Sequence, residues 1–211
     1  MFLGAIFDVD GTILDSMHIW RDITVGFIAD CGFSVTDEEL LPYTCMTLEE
    51  SMPLIKEKYS LTASADELKA EFRRRIRDAY FYDVGAKPHV KEYMEFLKSR
   101  GIKIAIATSG YRELCEAAFS RLGISGMIDA YALSSEVGVN KSNPDVYLLA
   151  AKRIGIPPEK CMVFEDIPAG IQGAKKAGMQ TTAVYDFSNT DDTQVLQNTA
   201  DRYISDWGEL L

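Results

Sequence analysis

Two aspartates stand two residues apart in Phe7-Asp8-Val9-Asp10-Gly11-Thr12, directly after a short apolar run. In an extended chain the i, i+2 spacing puts both side chains on one side, and Gly11 lets the chain turn sharply after them. One carboxylate of such a pair can attack an electrophile such as phosphorus as a covalent nucleophile. The other can serve as general acid and base. Further along, Thr108-Ser109, Lys141 and Glu165-Asp166 offer a hydroxyl with a backbone amide, a cation and a second carboxylate pair. The four carboxylates make an oxygen-rich site for a hard cation. Mg²⁺ suits it, because that ion takes oxygen ligands and shares its shell with phosphate and water. Lys141 would hold phosphate charge and orient the attacking carboxylate. The Thr108 hydroxyl and the Ser109 amide, at a strand-to-helix turn, are the donors a phosphate needs.

Each part has a plainer reading by itself. Glu165-Asp166 could be helix-start carboxylates favoured by the dipole, Thr108-Ser109 a helix cap, and Lys141 a solvated loop lysine. Their joint position sets them apart. Residues 2–7, 102–107, 161–164 and 181–185 are short, continuous apolar runs, the pattern of strands in a parallel sheet covered on both faces. Helical periodicity marks 90–100, 111–122 and 168–177, with a weaker stretch after Tyr185. Gly101, Gly123 and Gly178 stand where those helices should stop. This alternation means an α/β sheet, and ligands of open α/β sheets bind at the carboxyl ends of the strands. The residues that end these strands are the ones with chemistry.

The alternation fails between Asp15 and Lys87, which reads almost wholly helical. Met17, Trp20, Ile23 and Phe27 form one stripe, Leu48, Met52, Ile55 and Tyr59 another, and Leu68, Phe72 and Ile76 a third. Turn chemistry lies at Cys31-Gly-Phe-Ser34 and Tyr59-Ser-Leu-Thr62. A helical block inserted after the first strand looks like a cap domain. The 211 residues, 47% hydrophobic and 26% charged, exclude a largely disordered chain and fit one domain plus an insertion. The net charge is −10. It divides evenly: 15–87 holds 14 acidic and 9 basic residues, the remainder 18 and 13. Neither part is a basic surface, which argues against nucleic acid or an anionic membrane as partner. Four scattered cysteines, Cys31, Cys45, Cys115 and Cys161, indicate neither zinc site, redox pair nor disulfide framework. The N-terminal run is too short for a signal peptide, and no apolar run reaches a membrane span. A cytoplasmic location is expected.

Asp8-Val-Asp-Gly-Thr12, the strand-ending Thr108-Ser109, the loop lysine Lys141 and Cys161-Met-Val-Phe-Glu-Asp-Ile-Pro-Ala-Gly-Ile-Gln-Gly-Ala-Lys-Lys-Ala-Gly178 together resemble the four motifs of the haloacid dehalogenase-like (HAD) phosphohydrolases. The resemblance covers essentially the whole chain. The helical insertion resembles the C1 cap of the phosphoglycolate phosphatase and β-phosphoglucomutase branch. The implied fold class is α/β: a Rossmann-like three-layer core with a mainly parallel sheet, plus an inserted all-helical cap domain. The core would be 1–14 and 88–211 and the cap 15–87. By position, the resemblance implies Asp8 as the nucleophile that forms an aspartyl-phosphate. Asp10 would protonate the leaving oxygen and then deprotonate the attacking water. Mg²⁺ would be held by the Asp8 carboxylate, the Asp10 backbone carbonyl and Asp166, with Glu165 a further partner, direct or through water. Thr108, Ser109 and Gly110 would grip the phosphoryl group, Lys141 would neutralise its charge, and Gly11 and Thr12 would supply the turn and backbone contacts beside it. Asp10 disfavours a dehalogenase, since halide departure needs no acid there.

There are departures from the family pattern. The lysine loop reads Asn140-Lys-Ser-Asn-Pro-Asp145, where relatives often have Lys-Pro-x-Pro-Asp, and Ile167 stands where some carry a polar residue. β-Phosphoglucomutases resemble this layout but hold a second phosphate with an arginine in the loop before the second cap helix. The matching Tyr43-Thr-Cys-Met-Thr-Leu-Glu-Glu-Ser51 contains no Arg or Lys. That favours hydrolysis of a small phosphorylated metabolite, with a phosphomutase as the alternative. Thr44 and Thr47 of this loop are expected to reach the substrate and set specificity. His18, at the cap entrance, is a further candidate for substrate contact, against the plainer reading of an incidental histidine. Arg73, Arg74, Arg75 and Arg77 read as a solvated helix face with Arg74–Asp78 and Glu71–Arg75 as partners. Trp20 and Phe27 read as cap core. A receiver-like signalling module, which also phosphorylates an aspartate, would be much shorter and lack the insertion. A non-catalytic relative would have lost Asp8 or Asp10. A monomer or weak homodimer is expected.

Overall fold

The computed structural model describes residues 2–40 and 48–211, with the side chains of Trp20 and Asp37 left aside. Contacts divide the chain into two units, Met1–Met17 with Val84–Leu211, and His18–Asp83. The strands, all in the first unit, are β1 (Gly4–Phe7), β2 (Leu14–Asp15), β3 (Gly85–Ala86), β4 (Lys103–Thr108), β5 (Ala130–Leu133), β6 (Cys161–Glu165), β7 (Gln180–Val184) and β8 (Arg202–Ile204). Numbered along the whole chain, the helices are α1 (Met17–Asp30), α2 (Asp37–Leu40), α3 (Leu48–Lys58), α4 (Ala65–Asp78), α5 (Val90–Ser99), α6 (Arg112–Leu122), α7 (Ser134–Val137), α8 (Asp145–Ile154), α9 (Pro168–Lys176) and α10 (Thr193–Thr199).

Six strands form one sheet in the order β5-β4-β1-β6-β7-β8, and every pairing in it is parallel. The continuous apolar runs follow from burial on both faces. On one face Ile6, Ala105, Ala107 and Val163 pack with Val146, Tyr147 and Ala150 of α8 and Ala174 of α9. On the other, Phe7 stacks on Phe164 at 4.6 Å, and Trp207 and Tyr93 of α5 close over Phe164 at 5.1 and 5.7 Å. Helices therefore cover both sides, which makes a three-layer α/β fold of the Rossmann type. Phe7 pairs in register with both Ile106 and Phe164. That alignment brings Asp8 and Glu165, each one residue on, and Thr108, two residues on, to one edge of the sheet. Gly101, Gly123 and Gly178 take φ of 71–75° at the ends of α5, α6 and α9, the left-handed stop expected of them.

The sequence reading missed β5, α8 and β8. The buried face of α8 is Val146, Tyr147, Ala150 and Ala151, too small in side-chain volume to stand out as an apolar stripe. β8 is a three-residue edge strand. The helical reading of 15–87 fails at its ends, because Leu14 pairs antiparallel with Ala86 and Asp15 with Gly85. Between them, Ala79–Asp83 forms a π-helical turn.

The unit His18–Asp83 is helical in its described residues. Met52, Ile55, Leu68, Phe72 and Ile76 are buried, and Phe27 meets Phe72 edge-on at 6.0 Å. Ser64 and Glu67 form a capping box that starts α4. The arginine run pairs with acids: Arg73 with Glu49, Arg74 with Glu71 and Asp78, Arg75 with Glu71 and Asp30, and Arg77 with Asp78.

Candidate active site at the carboxyl edge of the sheet

Asp8 continues β1 by one residue, its amide donating to the Phe164 carbonyl at 3.0 Å. The chain then folds back at once. The Val9 carbonyl accepts from the Ile13 and Leu14 amides at 2.9 and 2.8 Å. Gly11 makes the turn possible in two ways. Its φ is +79°, and a Cβ there would lie 2.4 Å from Asp166 Oδ2. The turn presents Thr12, whose hydroxyl donates to Asp166 Oδ1 at 3.0 Å. It also places Asp10 against Ser16, whose hydroxyl donates to Asp10 Oδ1 at 2.7 Å. Trp207 Nε1 donates to the Thr12 carbonyl at 3.2 Å and ties the turn to the C-terminal segment.

Lys141 is buried rather than solvated, with 5% of its residue surface exposed. Its ammonium donates to Asp8 Oδ1 and to Glu165 Oε1, the latter at 2.6 Å. Tyr147 OH donates to the same Glu165 oxygen at 2.8 Å. Asn189 Nδ2 donates to Asp166 Oδ2 at 2.7 Å and to the Asp166 carbonyl at 3.2 Å. At the end of β4 the Gly110 amide donates to Thr108 Oγ1 at 2.9 Å, and the Ser109 and Ser134 hydroxyls lie 3.0 Å apart. A Cβ on Gly110 would lie 3.3 Å from both Asp10 Oδ2 and Thr108 Oγ1, so this turn borders Asp10. Thr108 and Ser109 do not cap α6, whose N-cap is Tyr111. Likewise the N-cap of α9 is Ile167, not an acidic side chain.

One oxygen each from Asp8, Glu165 and Asp166 lie within 4.8 Å of one another, and all three residues are buried. Burial disfavours the charge of Glu165 and of Asp166. It pushes Glu165 up; Lys141 opposes this and the charge of Asp8 adds to it, leaving the carboxyl at about 7. Burial, then the charges of Asp8 and Glu165, hold Asp166 well above the ordinary carboxylate range. For Lys141 burial works against the ammonium, yet Asp8 and Glu165 outweigh it and hold its pKa above the usual lysine value. Burial and then the charge of Glu165 raise the Tyr147 phenol, so it acts as a donor. Glu165 Oε2 is buried with no hydrogen-bond partner. An all-oxygen donor set with an orphaned buried oxygen and surplus negative charge fits a hard divalent cation.

The structure thus gathers Asp8, Asp10, Gly11, Thr12, Thr108, Ser109, Gly110, Lys141, Glu165 and Asp166 on one edge. His18 is the second residue of α1, half-buried. Thr44 and Thr47 lie outside the described residues, as does most of the loop 43–51 that bears on hydrolase against mutase. Sequence reasoning missed Ser16, Ser134, Tyr147, Asn189 and Trp207. Ser16 bonds a carboxylate only six residues earlier in the chain, whereas the partners of the other four are distant; of those four, Tyr147, two residues after Asp145 on the first turn of α8, carried a positional hint.

Residues 5–184 match the family described as haloacid dehalogenase-like hydrolase. A phosphorylated carbohydrates phosphatase of Thermotoga maritima is 27% identical over 177 residues, 84% of this chain and 82% of its own. Validoxylamine A 7'-phosphate phosphatase of Streptomyces hygroscopicus subsp. limoneus is 31% identical over 182 residues, 85% of this chain and 84% of its own. The crystal structure of a candidate β-phosphoglucomutase from Thermotoga maritima superposes with a TM-score of 0.85 at 26% identity, covering 95% of this chain and 93% of that one.

Proposed function

The chain belongs to the haloacid dehalogenase-like hydrolases and is a phosphoric monoester hydrolase, and from that premise we propose that it hydrolyses a small phosphorylated metabolite, a sugar phosphate or similar ester, through a covalent aspartyl-phosphate on Asp8. The observation that carries this reading is the setting of Asp8: a buried carboxylate gripped by Lys141, with the Ser16-bound Asp10 two residues on. The Asp8 oxygen that Lys141 leaves free attacks phosphorus. The bond from phosphorus to the ester oxygen breaks, and Asp10 gives that oxygen its proton. Water then attacks the phosphoryl group, Asp10 takes up the water proton, the Asp8–phosphorus bond breaks and inorganic phosphate leaves. The Thr108 hydroxyl and the Ser109 amide hold the phosphoryl oxygens, the Gly110 amide supports Thr108 Oγ1, and Lys141 offsets the phosphoryl charge. Asp8, Asp166 and the Asp10 carbonyl would hold Mg²⁺, with Glu165 a further partner through Oε2. When bound, the ion supplies positive charge that eases the approach of a carboxylate to a phosphate.

The substrate class is supported by the relatives, which are named for phosphorylated carbohydrates and for validoxylamine A 7'-phosphate. The proposal gives the helical unit the role of a cap that selects the leaving group. It also sets the protein in the cytoplasm as a monomer or weak homodimer. Among the described residues no helix is long and apolar enough to cross a membrane. A phosphate-release screen over sugar phosphates, phosphoglycolate, nucleoside monophosphates and flavin or polyol phosphates, with Mg²⁺ and EDTA arms, tests the activity. Asp8→Asn should abolish turnover, and substantial residual activity would sink the covalent route. The likeness to a candidate β-phosphoglucomutase supports a second reading. Conversion of glucose 1-phosphate to glucose 6-phosphate without free phosphate would establish it.

A further inference from the structure

The carboxylate of Asp166 is pinned from two sides, by Thr12 on Oδ1 and by Asn189 on Oδ2. Thr12 belongs to the aspartate motif; Asn189 stands 23 residues beyond Asp166 and belongs to none. It lies in the 3₁₀ stretch Phe187–Asp192 after β7, and it alone there leaves helical geometry, at φ −110° and ψ 26°. Its amide nitrogen on the main chain donates to the Asp186 carbonyl at 3.1 Å. Asp186 is itself buried, at 1% exposure. Its Oδ1 accepts from the Ser188 amide at 2.9 Å and the Ser188 hydroxyl at 2.5 Å, and its Oδ2 from Lys87 at 2.6 Å. Lys87 also donates to the Tyr185 carbonyl at 2.9 Å, and its backbone amide to the Ile13 carbonyl at 2.8 Å. The path therefore closes. From Thr12 it runs through Asp166, Asn189, Asp186 and Lys87 to Ile13, the neighbour of Thr12. A chance surface contact would not be built into such a ring.

We propose that Asn189 is a positioning residue for Asp166: its side-chain amide fixes the orientation of that carboxylate toward a divalent cation, and the Lys87–Asp186 pair holds Asn189 in place. This rests on the reading of Asp166 as a metal ligand. Groups that hydrogen-bond a ligating carboxylate set its orientation, and their loss weakens metal binding by roughly 10–100-fold.

The test is calorimetric titration of Mg²⁺ into the full-length protein, comparing wild type with Asn189→Ala, Asn189→Leu, Lys87→Met and Asp166→Asn. Leu fills the space of Asn without a donor, so a space-filling role would leave Asn189→Leu like wild type. Both Asn189 variants should bind Mg²⁺ about tenfold or more weakly, and Lys87→Met should also bind it more weakly. In turnover assays at saturating Mg²⁺ the KM for the ester should stay near wild type, and kcat should recover as Mg²⁺ is raised. Circular dichroism identifies any variant that fails to fold, in which case the remaining variants decide. If the Asn189 variants bind Mg²⁺ as wild type does while Asp166→Asn does not, the positioning role is wrong and the metal reading survives. If wild type binds no Mg²⁺, the metal reading falls and this inference with it.

Discussion

Helix α9 packs so closely on the loop carrying Lys141 that one methyl group should decide the sign of a mutation. A Cβ on Gly173 would lie 2.0 Å from the Lys141 carbonyl oxygen and 2.7 Å from that of Asn143. Both are main-chain atoms, so neither can swing aside. Ordinary contact begins near 3.4 Å, so the loop would have to retreat by about 1.4 Å. Helix propensity alone favours Ala over Gly by about 1 kcal/mol. Overpacking opposes it by about 1–3 kcal/mol, and an immovable neighbour belongs at the upper end. The expected net loss for Gly173→Ala is about 2 kcal/mol, or roughly 2–4 °C of Tm for each kcal/mol at this chain length. Activity should fall further than stability. The Lys141 ammonium must still reach both Asp8 and Glu165, and a misplacement of about 1 Å at a reacting centre lowers rate by about 10²-fold. Gly26→Ala is the control. It is also helical, in α1, but among the described residues its Cβ would meet only Arg75 Nη1, at 3.9 Å, so propensity should win and Tm should rise. Thermal melts and phosphate-release rates on both variants decide the matter. A Gly173→Ala protein that gained stability as Gly26→Ala does, with wild-type turnover, would refute the clash argument.

His89 holds φ 62° at the start of α5 with no capping bond from its side chain; His89→Gly should relieve about 1 kcal/mol of left-handed strain and raise Tm, and an unchanged or lower Tm would show that its side chain contributes more than the strain removes. Trp207 packs on Phe7, Phe164 and Tyr93 at 5.5, 5.1 and 5.3 Å, so Trp207→Ala should cost about 3–5 kcal/mol by denaturant unfolding. A loss under about 1 kcal/mol would mean the C-terminal segment does not hold the turn at Val9–Leu14. For Asp186, burial alone would raise the carboxyl, but Lys87 and Ser188 outweigh it and depress the pKa. A depressed folded pKa means that its stabilisation is present above the unfolded value and is lost as pH falls through the folded one. The stability gap between wild type and Lys87→Met should therefore hold from pH 7 to about 5 and shrink below about 4; a gap still constant at pH 3 would contradict this.

The convergence of the site was legible because of what a parallel sheet does to its strand ends. Continuous apolar runs identify β1, β4 and β6, and parallel register then puts the residue after each run on one edge, whatever the length of chain between them. This is why Asp8, Thr108 and Glu165 could be grouped without knowing strand order. What joins those residues was not legible. Tyr147 sits on a helix whose contact face is half alanine, so the helix itself went unread. Asn189 follows the last motif through a weakly patterned stretch, and its importance lies in a bond to a carboxylate 23 residues earlier. Gly173 reads as a small residue in a helix, and nothing local says that two carbonyl oxygens lie within reach of its missing Cβ. Glu165 was read mainly as half of an acidic pair. One of its oxygens in fact takes both Lys141 and Tyr147, so it orients the lysine as much as it adds negative charge.

That arrangement gives the acidic balance of the chain a location. Asp8, Glu165 and Asp166 are buried together, and among the described residues Lys141 is the one lysine or arginine bonded to them. Three carboxylates against one ammonium leave the folded site with surplus negative charge, in a place where water cannot screen it. Burial first, and the neighbouring carboxylate charge after it, raise Glu165 and Asp166. Protons could relieve the surplus charge, but a protonated carboxyl is a poor ligand and a poor partner for Lys141. A divalent cation relieves it while keeping the carboxylates as ligands, and it turns a negative pocket into one that attracts phosphate. A chain with a net charge of −10 therefore needs no basic surface to take an anionic substrate. On the proposed reading it needs the carboxylates close enough to share one ion, and the absence of a side chain at Gly11 and Gly170, where a Cβ would come within 2.4 Å of Asp166 and 2.2 Å of Glu165, leaves room for that approach.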